Sequence, residues 1–414
     1  MSWLIPYSDL TPDQQRAVQL RPDENRAIIG GPGSGKTQIL LHRARHLCDL
    51  LKTPSPRFRI FVYTNALKDY IKTALKELDL PEDNVITFDH WCRLYYQKNI
   101  NSKLPWDAHA KKPDFAAIRQ AVTKHAGSGQ KAFDFVLVDE GQDLPEYVFS
   151  LLTKISRHIT VCLDNKQQIY DTGATEACIF RVLGIRRQNV NLIDAFRVCP
   201  YLVEVASQFI ANPSERTAFR KQTRQPQIER ETPLIYLAHD FDDEKAMLQQ
   251  IVRERLLKNE RIAILFPEKR QVFGFAKGLH EVGIEVEIPP QQTGTPPFAT
   301  YDFTSHRPKL MTLHSAKGLT FDTIFLPRLI ANAFPRRRPD EVEHLLFVAI
   351  TRATRWCYFS ATGDNPLAEL QEKLLPLESS RQIAVRRYGA PEKTRIVAPP
   401  PVAPEPNTNI PTWL

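Results

Sequence analysis

No apolar run in this chain reaches the roughly 18–20 residues that a membrane-spanning helix needs, so no membrane association is expected. The opening stretch, MSWLIPYSDLTPDQQ, has no basic region ahead of a long apolar segment, and no secretory signal is expected there. Cysteine is sparse. Cys48, Cys92, Cys162, Cys178, Cys199 and Cys357 form no C-x-x-C pair, which argues against a zinc site and leaves reduced, buried thiols of a cytoplasmic protein as the expectation. Nothing repeats at a fixed short period. What remains is a chain of 414 residues, 42% hydrophobic and 25% charged, long enough for two ordinary domains with sizeable cores. Its formal charge of +8 suits a polyanionic partner such as nucleic acid, although proteins without one often carry a similar surplus.

Short β-like runs alternate with helical patterns: "RAIIG", "RIFVYT", "DNVITF", "FDFVLVD" and "HITVCLD", then "PLIYLA", "RIAILF", "KLMTLH", "DTIFLP" and "WCYFSA". Between several of them lie stretches with apolar spacing near 3.6, such as "QILLHRARHLCDLL" and "EKAMLQQIVRERLLK". That alternation predicts an α/β architecture with mainly parallel sheets. A boundary near residue 190 divides the chain into units 1–190 and 191–385. Residues 386–414 hold the proline-rich "APPPVAPEPNTNIPTWL" and few core formers, which predicts a disordered tail.

"RAIIGGPGSGKTQILLHRA" reads as a strand, a glycine-rich turn and a helix. Gly30 to Thr37 fits G-x-x-x-x-G-K-[ST], a loop whose backbone N–H groups close around phosphates at a helix N-terminus. Gly31, Pro32, Gly33, Ser34, Gly35, Lys36, Thr37 and Gln38 are the candidate cradle for ATP. Lys36 would reach the β- and γ-oxygens, and the Thr37 hydroxyl would bind Mg²⁺.

"FDFVLVDEGQDLPE" then raises a puzzle, because a buried strand ends in Asp139, Glu140 and Asp143 almost without a break. Like charges that close repel, so positive charge is expected among them. A strand ending beside the phosphate loop supplies it: Asp139 would hold Mg²⁺, and Glu140 would accept a proton from the attacking water. Gln142 and Asp143 would link this site to neighbouring segments.

"VDEGQD" resembles the D-E-x-Q-D motif of superfamily 1 helicases, and above all the UvrD/Rep/PcrA branch. Further matches follow in that branch's order. "LTPDQQRAV" resembles its Q motif, with Gln14 in the place of the adenine-reading glutamine. "FVYTN" and "ITFDHWC" resemble motifs Ia and Ib. "CLDNKQQIY" resembles motif III, with Gln167 in the γ-phosphate-sensing position. "LIDAFRVCPYLVEVA" resembles motif IV, with Phe196 where adenine is stacked and Arg197 where a phosphate arginine sits. "LMTLHSAKGLTFDTIFLP" resembles motif V, whose Gly318 falls among the nucleotide-binding positions. "EHLLFVAITRATR" resembles motif VI, with Arg352 in the arginine-finger position. The resemblance spans about residues 8–362. It implies two RecA-like domains with ATP at their interface, ATP hydrolysis with Mg²⁺, and 3′→5′ translocation on single-stranded DNA, RNA being the other candidate strand. It also places Tyr63, Thr64, Asn65, Thr87, Phe88, Thr312 and His314 along the nucleic-acid track. Ordinary core packing competes for the aromatics among them.

Three departures stand out. The spans between motifs Ib and II and between IV and V are too short for the family's two inserted subdomains. "QIYDTGA" lacks the aromatic and arginine usual after the motif III tyrosine, and Thr320 follows "AKGL" where glutamate is usual. The ATPase centre is left intact and the case for processive unwinding weakened. Two functions therefore stand: a motor on single-stranded DNA, or an ATP-driven switch in a repair or anti-phage defence complex that gates a partner such as a nuclease.

Overall fold

The computed structural model describes residues 3–51, 57–107, 109, 111–126, 131–164, 173–193, 199–222, 231–289, 299–334, 337–363 and 365–389. Its first half begins with α1 (Pro12–Val18), β1 (Arg26–Gly30), α2 (Lys36–Leu51), β2 (Phe58–Val62), α3 (Asn65–Glu77), β3 (Val85–Thr87) and α4 (Phe88–Asn99). A two-stranded ribbon of β4 (Trp106–Asp107) and β5 (Lys112–Pro113) precedes α5 (Phe115–His125). Then come β6 (Phe133–Val138), α6 (Glu146–Ile155), β7 (Ser156–Leu163), α7 (Glu176–Leu183) and β8 (Val190–Ile193). The second half opens with α8 (Pro200–Ser207), α9 (Pro213–Gln222), β9 (Leu234–Ala238), α10 (Phe241–Leu257), β10 (Ile262–Phe266) and α11 (Lys269–His280). It closes with β11 (Glu287–Ile288), β12 (Ala299–Thr300), β13 (Lys309–Thr312), β14 (Phe321–Leu326), α12 (Pro339–Ile350), β15 (Ala353–Thr362) and β16 (Ala384–Arg387).

Among the described residues the strands form a six-stranded sheet, β3-β2-β6-β7-β1-β8, and an eight-stranded one, β12-β11-β13-β10-β14-β15-β9-β16. Neighbouring strands within both are parallel, as the alternation of strand and helix predicts. Helices cover both faces of such sheets, so central strands are apolar throughout: β10, IAILF, is buried at every position. β7 pairs with both β6 and β1 and lies between them, and the end of β6 still lies beside the phosphate loop, as expected, because Asp139 reaches it across the sheet's C-terminal edge.

β8 carries the first sheet to Ile193, and the Cys199 N–H donates to Thr354 O (2.9 Å) in the second half. β16 crosses residue 386, where the sequence starts its tail; residues from 390 on lie outside those described. Between α4 and β6 the described residues hold only the ribbon and α5, and those between α9 and β13 build the second sheet. Cys92, Cys162, Cys199 and Cys357 are buried as expected, whereas Cys48 and Cys178 are only half-buried. No helix among the described residues is long and apolar enough to cross a membrane.

The first half is pinned internally by Arg43, fully buried on α2. It donates to Val18 O (3.0 Å) and Leu20 O (2.6 Å), to Thr160 Oγ1 (2.8 Å) and toward His158 Nε2 (3.1 Å). Facing a guanidinium donor, His158 Nε2 must accept and stay unprotonated; burial and then Arg43 push its pKa down to about 3. A histidine depressed this far below its free value near 6.5 contributes stability above pH 6.5 that is lost as pH falls toward 3. Chemical denaturation across that window should show stability falling with acid, and His158→Gln should flatten the fall.

Candidate functional site

The C-terminal ends of β1, β6 and β7 converge on one buried cluster. After β1 the chain turns through Gly33 (φ +77°) and Gly35 (φ +81°) before α2 starts at Lys36. Lys36 Nζ donates to Gly30 O (2.6 Å) and Gly31 O (3.2 Å) and pairs with Asp164 Oδ2 (3.1 Å), just past β7. Burial works against the charge on Lys36, but Asp164, Glu140 and Asp139 together outweigh it and raise its pKa. The Thr37 hydroxyl donates to Asp139 Oδ2 (2.7 Å).

Glu140 stands in the left-handed region (φ +51°, ψ +46°), an uncommon setting for a non-glycine residue. The next position admits only glycine, since a Cβ at Gly141 would lie 2.4 Å from Val161 Cγ2 on β7. This turn aims Glu140 inward, where Gln142 Nε2 donates to its Oε2 (2.6 Å). The other end of the Gln142 amide accepts from Asp164 N (3.0 Å), so one glutamine braces two acidic loops. Burial and then Glu140 push Asp139 up to about 6. For Glu140 burial is outweighed by Lys317, Lys36 and Arg352, and its pKa falls.

Two of those cations come from the second half. Lys317, in the turn after β13, meets Asp143 at 2.8 Å and 2.7 Å, and both side chains are almost fully buried. Beside it Gly318 lies against Leu67 of α3 and takes φ +80°, a left-handed conformation that favours glycine. Phe303 meets Tyr70 of α3 edge-on with centroids 5.1 Å apart. Arg352, at the end of α12, is 5% exposed and donates to Val348 O (3.1 Å) and Thr351 Oγ1 (3.3 Å). Burial lowers its pKa against the opposing pull of Glu140, Asp164 and Asp139, the carboxylates it approaches. The crowded acids after β6 are thus met by positive charge from both halves.

Ser34 is fully buried, and its hydroxyl has no hydrogen-bond partner among the described residues, an orphan that a phosphate oxygen would satisfy. Thr37 and Asp139 offer the hard oxygen donors that Mg²⁺ prefers. Both observations fit a magnesium nucleotide.

Other candidates are engaged locally. Gln14 Oε1 accepts from Thr11 N (3.0 Å) and its Nε2 donates to Ser34 O (2.8 Å), bracing the phosphate loop against α1. Gln38 spends both ends of its amide on the N-terminal segment, at Ile5 N and Trp3 O (3.0 Å each). Pro32 is buried and Gly31 half-buried in the loop. Gln167, Phe196 and Arg197 lie outside the described residues.

Of the strand-contact candidates, Tyr63, Asn65, Thr87 and Phe88 share one cleft of about 990 Å³ in the first half. Phe88 is mostly core, packed on Phe61 and Trp91. Thr64 and Thr87 cap α3 and α4 through their hydroxyls. Thr312 and His314 do not line that cleft; Thr312 ends β13 and His314 lies just past it, where Thr312 Oγ1 bonds Ser315 Oγ (2.8 Å) and burial, Arg337 and Lys317 push His314 down to about 4. Sequence reasoning missed Asp164 and Lys317. An acid ending the strand beside the phosphate loop was the available signal for Asp164, and "AKGL" contained Lys317 without suggesting a partner.

A family model described as the AAA domain matches residues 14–173, and one described as the UvrD-like helicase C-terminal domain matches residues 302–363. A "Probable DNA helicase" of Mycoplasma pneumoniae is 22% identical over 246 residues, 54% of this chain and 42% of that protein. "ATP-dependent DNA helicase srs2" of Schizosaccharomyces pombe is 40% identical over 60 residues, 14% of this chain and 7% of that protein. The chain therefore spans less than half the length of these curated relatives. Among solved structures, the C-terminal domain of a possible DNA helicase from Lactobacillus plantarum aligns at a TM-score of 0.34 and 14% identity, over 46% of this chain and 98% of that one.

Proposed function

We propose that this chain, in line with its similarity to UvrD/Rep-like superfamily 1 helicases, is an ATP-driven motor that binds and translocates on single-stranded DNA, in the 3′→5′ sense that similarity implies. One observation supports this above the rest: Lys36 and Glu140 from the first sheet and Arg352 and Lys317 from the second meet in a single buried cluster. Phosphoryl transfer needs little covalent chemistry from the protein and much preorganised positive charge. Lys36 would leave Asp164 and the loop carbonyls for the β/γ-phosphates. Thr37 and Asp139 would hold Mg²⁺, which when bound neutralises charge on the phosphates. Glu140, ionised and held by Gln142, would take the proton of the attacking water. Arg352 would meet the charge developing on the γ-phosphate. The roles of Gln167, Phe196 and Arg197 rest on the family resemblance alone.

We take residues 1–190 and 191–385 as the two motor lobes. Since each lobe supplies part of the charge, nucleotide state would set the closure between them, and closure alternating with hydrolysis is what could move a strand. The proposal is tested by ATP turnover at fixed ionic strength with single-stranded DNA, duplex DNA and RNA, because strand binding weakens steeply with salt. Single-stranded DNA should stimulate the rate most. A rate indifferent to every nucleic acid would instead favour a switch subunit gating a partner such as a nuclease.

A further inference from the structure

Residues 3–5 precede the span of the helicase resemblance, yet they tie α2 to α3. On α2 the amide of Gln38, one residue past Thr37, is held at both ends by their backbone: Ile5 N donates to its Oε1, and its Nε2 donates to Trp3 O (3.0 Å each). One turn on, His42 Nε2 meets Ile5 O at 2.7 Å, and a ring nitrogen facing a carbonyl carries the hydrogen. On α3 the Trp3 indole stacks on Tyr70, with ring centroids 3.8 Å apart and planes inclined by 19°. Its Nε1 donates to Thr73 Oγ1 (2.9 Å), and that hydroxyl donates in turn to Tyr70 O (2.7 Å). The distance bridged is wide. β6 and β7 stand between β1 and β2, so the strands that α2 and α3 follow lie about 14 Å apart.

Tyr70 carries the connection into the second half. It is 5% exposed, and Phe303 meets it edge-on at 5.1 Å. Phe303 packs on Tyr301 (5.8 Å), whose hydroxyl donates to Leu310 O of β13 (2.8 Å). Arg261, just ahead of β10, also feels Tyr70: burial works against its charge, but Asp322 and Tyr70 outweigh it and raise its pKa. A chain of contacts becomes a coupling only where it includes an element with two states. Here that element is the seam, because Tyr70 and Phe303 belong to different halves and touch only while the halves are together.

We propose that residues 3–5 are a strap through which Trp3 ties the nucleotide-holding start of α2 to the seam, so that Trp3 is a positioning residue for ATP turnover. This rests on the motor reading, and adds a route from the phosphate loop to the second half that bypasses the buried charges. When phosphates draw Lys36 and Thr37 onto themselves, the start of α2 moves, and the strap passes that movement to the ring on which Phe303 closes. Trp3→Ala isolates the role. Gln38 is held by backbone groups that alanine keeps, and only the grip on α3 is lost.

The test uses the full chain at saturating single-stranded DNA, with ATP turnover measured well below each variant's melting temperature and affinity measured with a mant-labelled nucleotide. The maximal rate of Trp3→Ala should fall about five- to tenfold, the factor by which losing an aromatic pair shifts an equilibrium, with affinity kept within about twofold. Trp3→Phe keeps a ring on Tyr70 without the Thr73 bond and should recover most of the rate. Phe303→Ala, across the seam, should slow turnover alike, and the double variant should be no slower than the slower single, because both break one chain. Should Trp3→Ala fail to fold, Trp3→Leu covers the same apolar surface without a ring and should show the same loss. A variant at Trp3 that melts earlier but keeps the wild-type maximal rate overturns the proposal and leaves the motor intact. So does one that loses affinity at an unchanged maximal rate, or a double variant whose losses multiply. A wild type that hydrolyses no ATP removes the motor reading and the strap with it.

Discussion

Replacing Arg352 by alanine is expected to lower the maximal rate of ATP hydrolysis by about 10³-fold or more, the range over which arginine fingers act in phosphoryl transfer. The expectation rests on where the guanidinium lies. It is buried, it belongs to the second sheet's half of the molecule, and the charges it feels most are those of Glu140, Asp164 and Asp139 in the first. A cation taken out of water and pointed at carboxylates is already desolvated, so its interaction with a γ-phosphate would be little screened. The effect should fall on the maximal rate far more than on nucleotide affinity, since the charge it answers develops during the reaction. Arg352→Lys keeps the charge but loses the planar fork, and should recover only part of the rate. Because Arg352 also donates to Val348 O and Thr351 Oγ1, thermal unfolding must be followed alongside. A well-folded alanine variant within tenfold of wild type would sink the finger assignment.

How much of this was legible beforehand follows from how local each signal is. β1, β2, β6, β7 and β10 could be read because strands buried on both faces of a parallel sheet leave continuous apolar runs. β16 could not: AVRR is a half-exposed edge strand ending in two exposed arginines, and its pairing with β9 is set by distant sequence. In the site, Lys36, Thr37 and Asp139 were legible because a phosphate loop and a strand-end acid carry their chemistry within a few residues. Asp164 carried the same strand-end signal but no hint of its partner, and Lys317 carried none, since each gains its meaning from a residue more than a hundred positions away. Thr64 and Thr87 teach the converse. Their motif positions suggest contact with a strand, whereas their hydroxyls already satisfy helix N-termini, a local need visible in the residues that follow.

The same long-range pair should produce the largest loss of stability in the chain. Lys317 and Asp143 are almost wholly buried and lie 2.7 Å apart, one in each half of the molecule. Truncating one partner of such a pair strands the other charge away from water, at a cost of about 3–5 kcal/mol. Lys317→Ala should therefore destabilise the protein by about that much in chemical denaturation, whereas Lys317→Met with Asp143→Leu, which leaves no charge behind, should cost far less. The pH dependence gives an independent check. Burial pushes Asp143 up to about 7 even against the pull of Lys317. A carboxyl raised above its ordinary 3.8 contributes most to stability below that value, and the contribution is lost as pH rises to 7. Without Lys317 the pKa must rise further, so the unpaired carboxyl is still protonated at pH 6 but under growing demand to ionise at pH 8. The penalty for Lys317→Ala should accordingly be larger at pH 8 than at pH 6. Equal penalties at both, or a loss below about 1 kcal/mol, would mean that the two halves are not held through this pair.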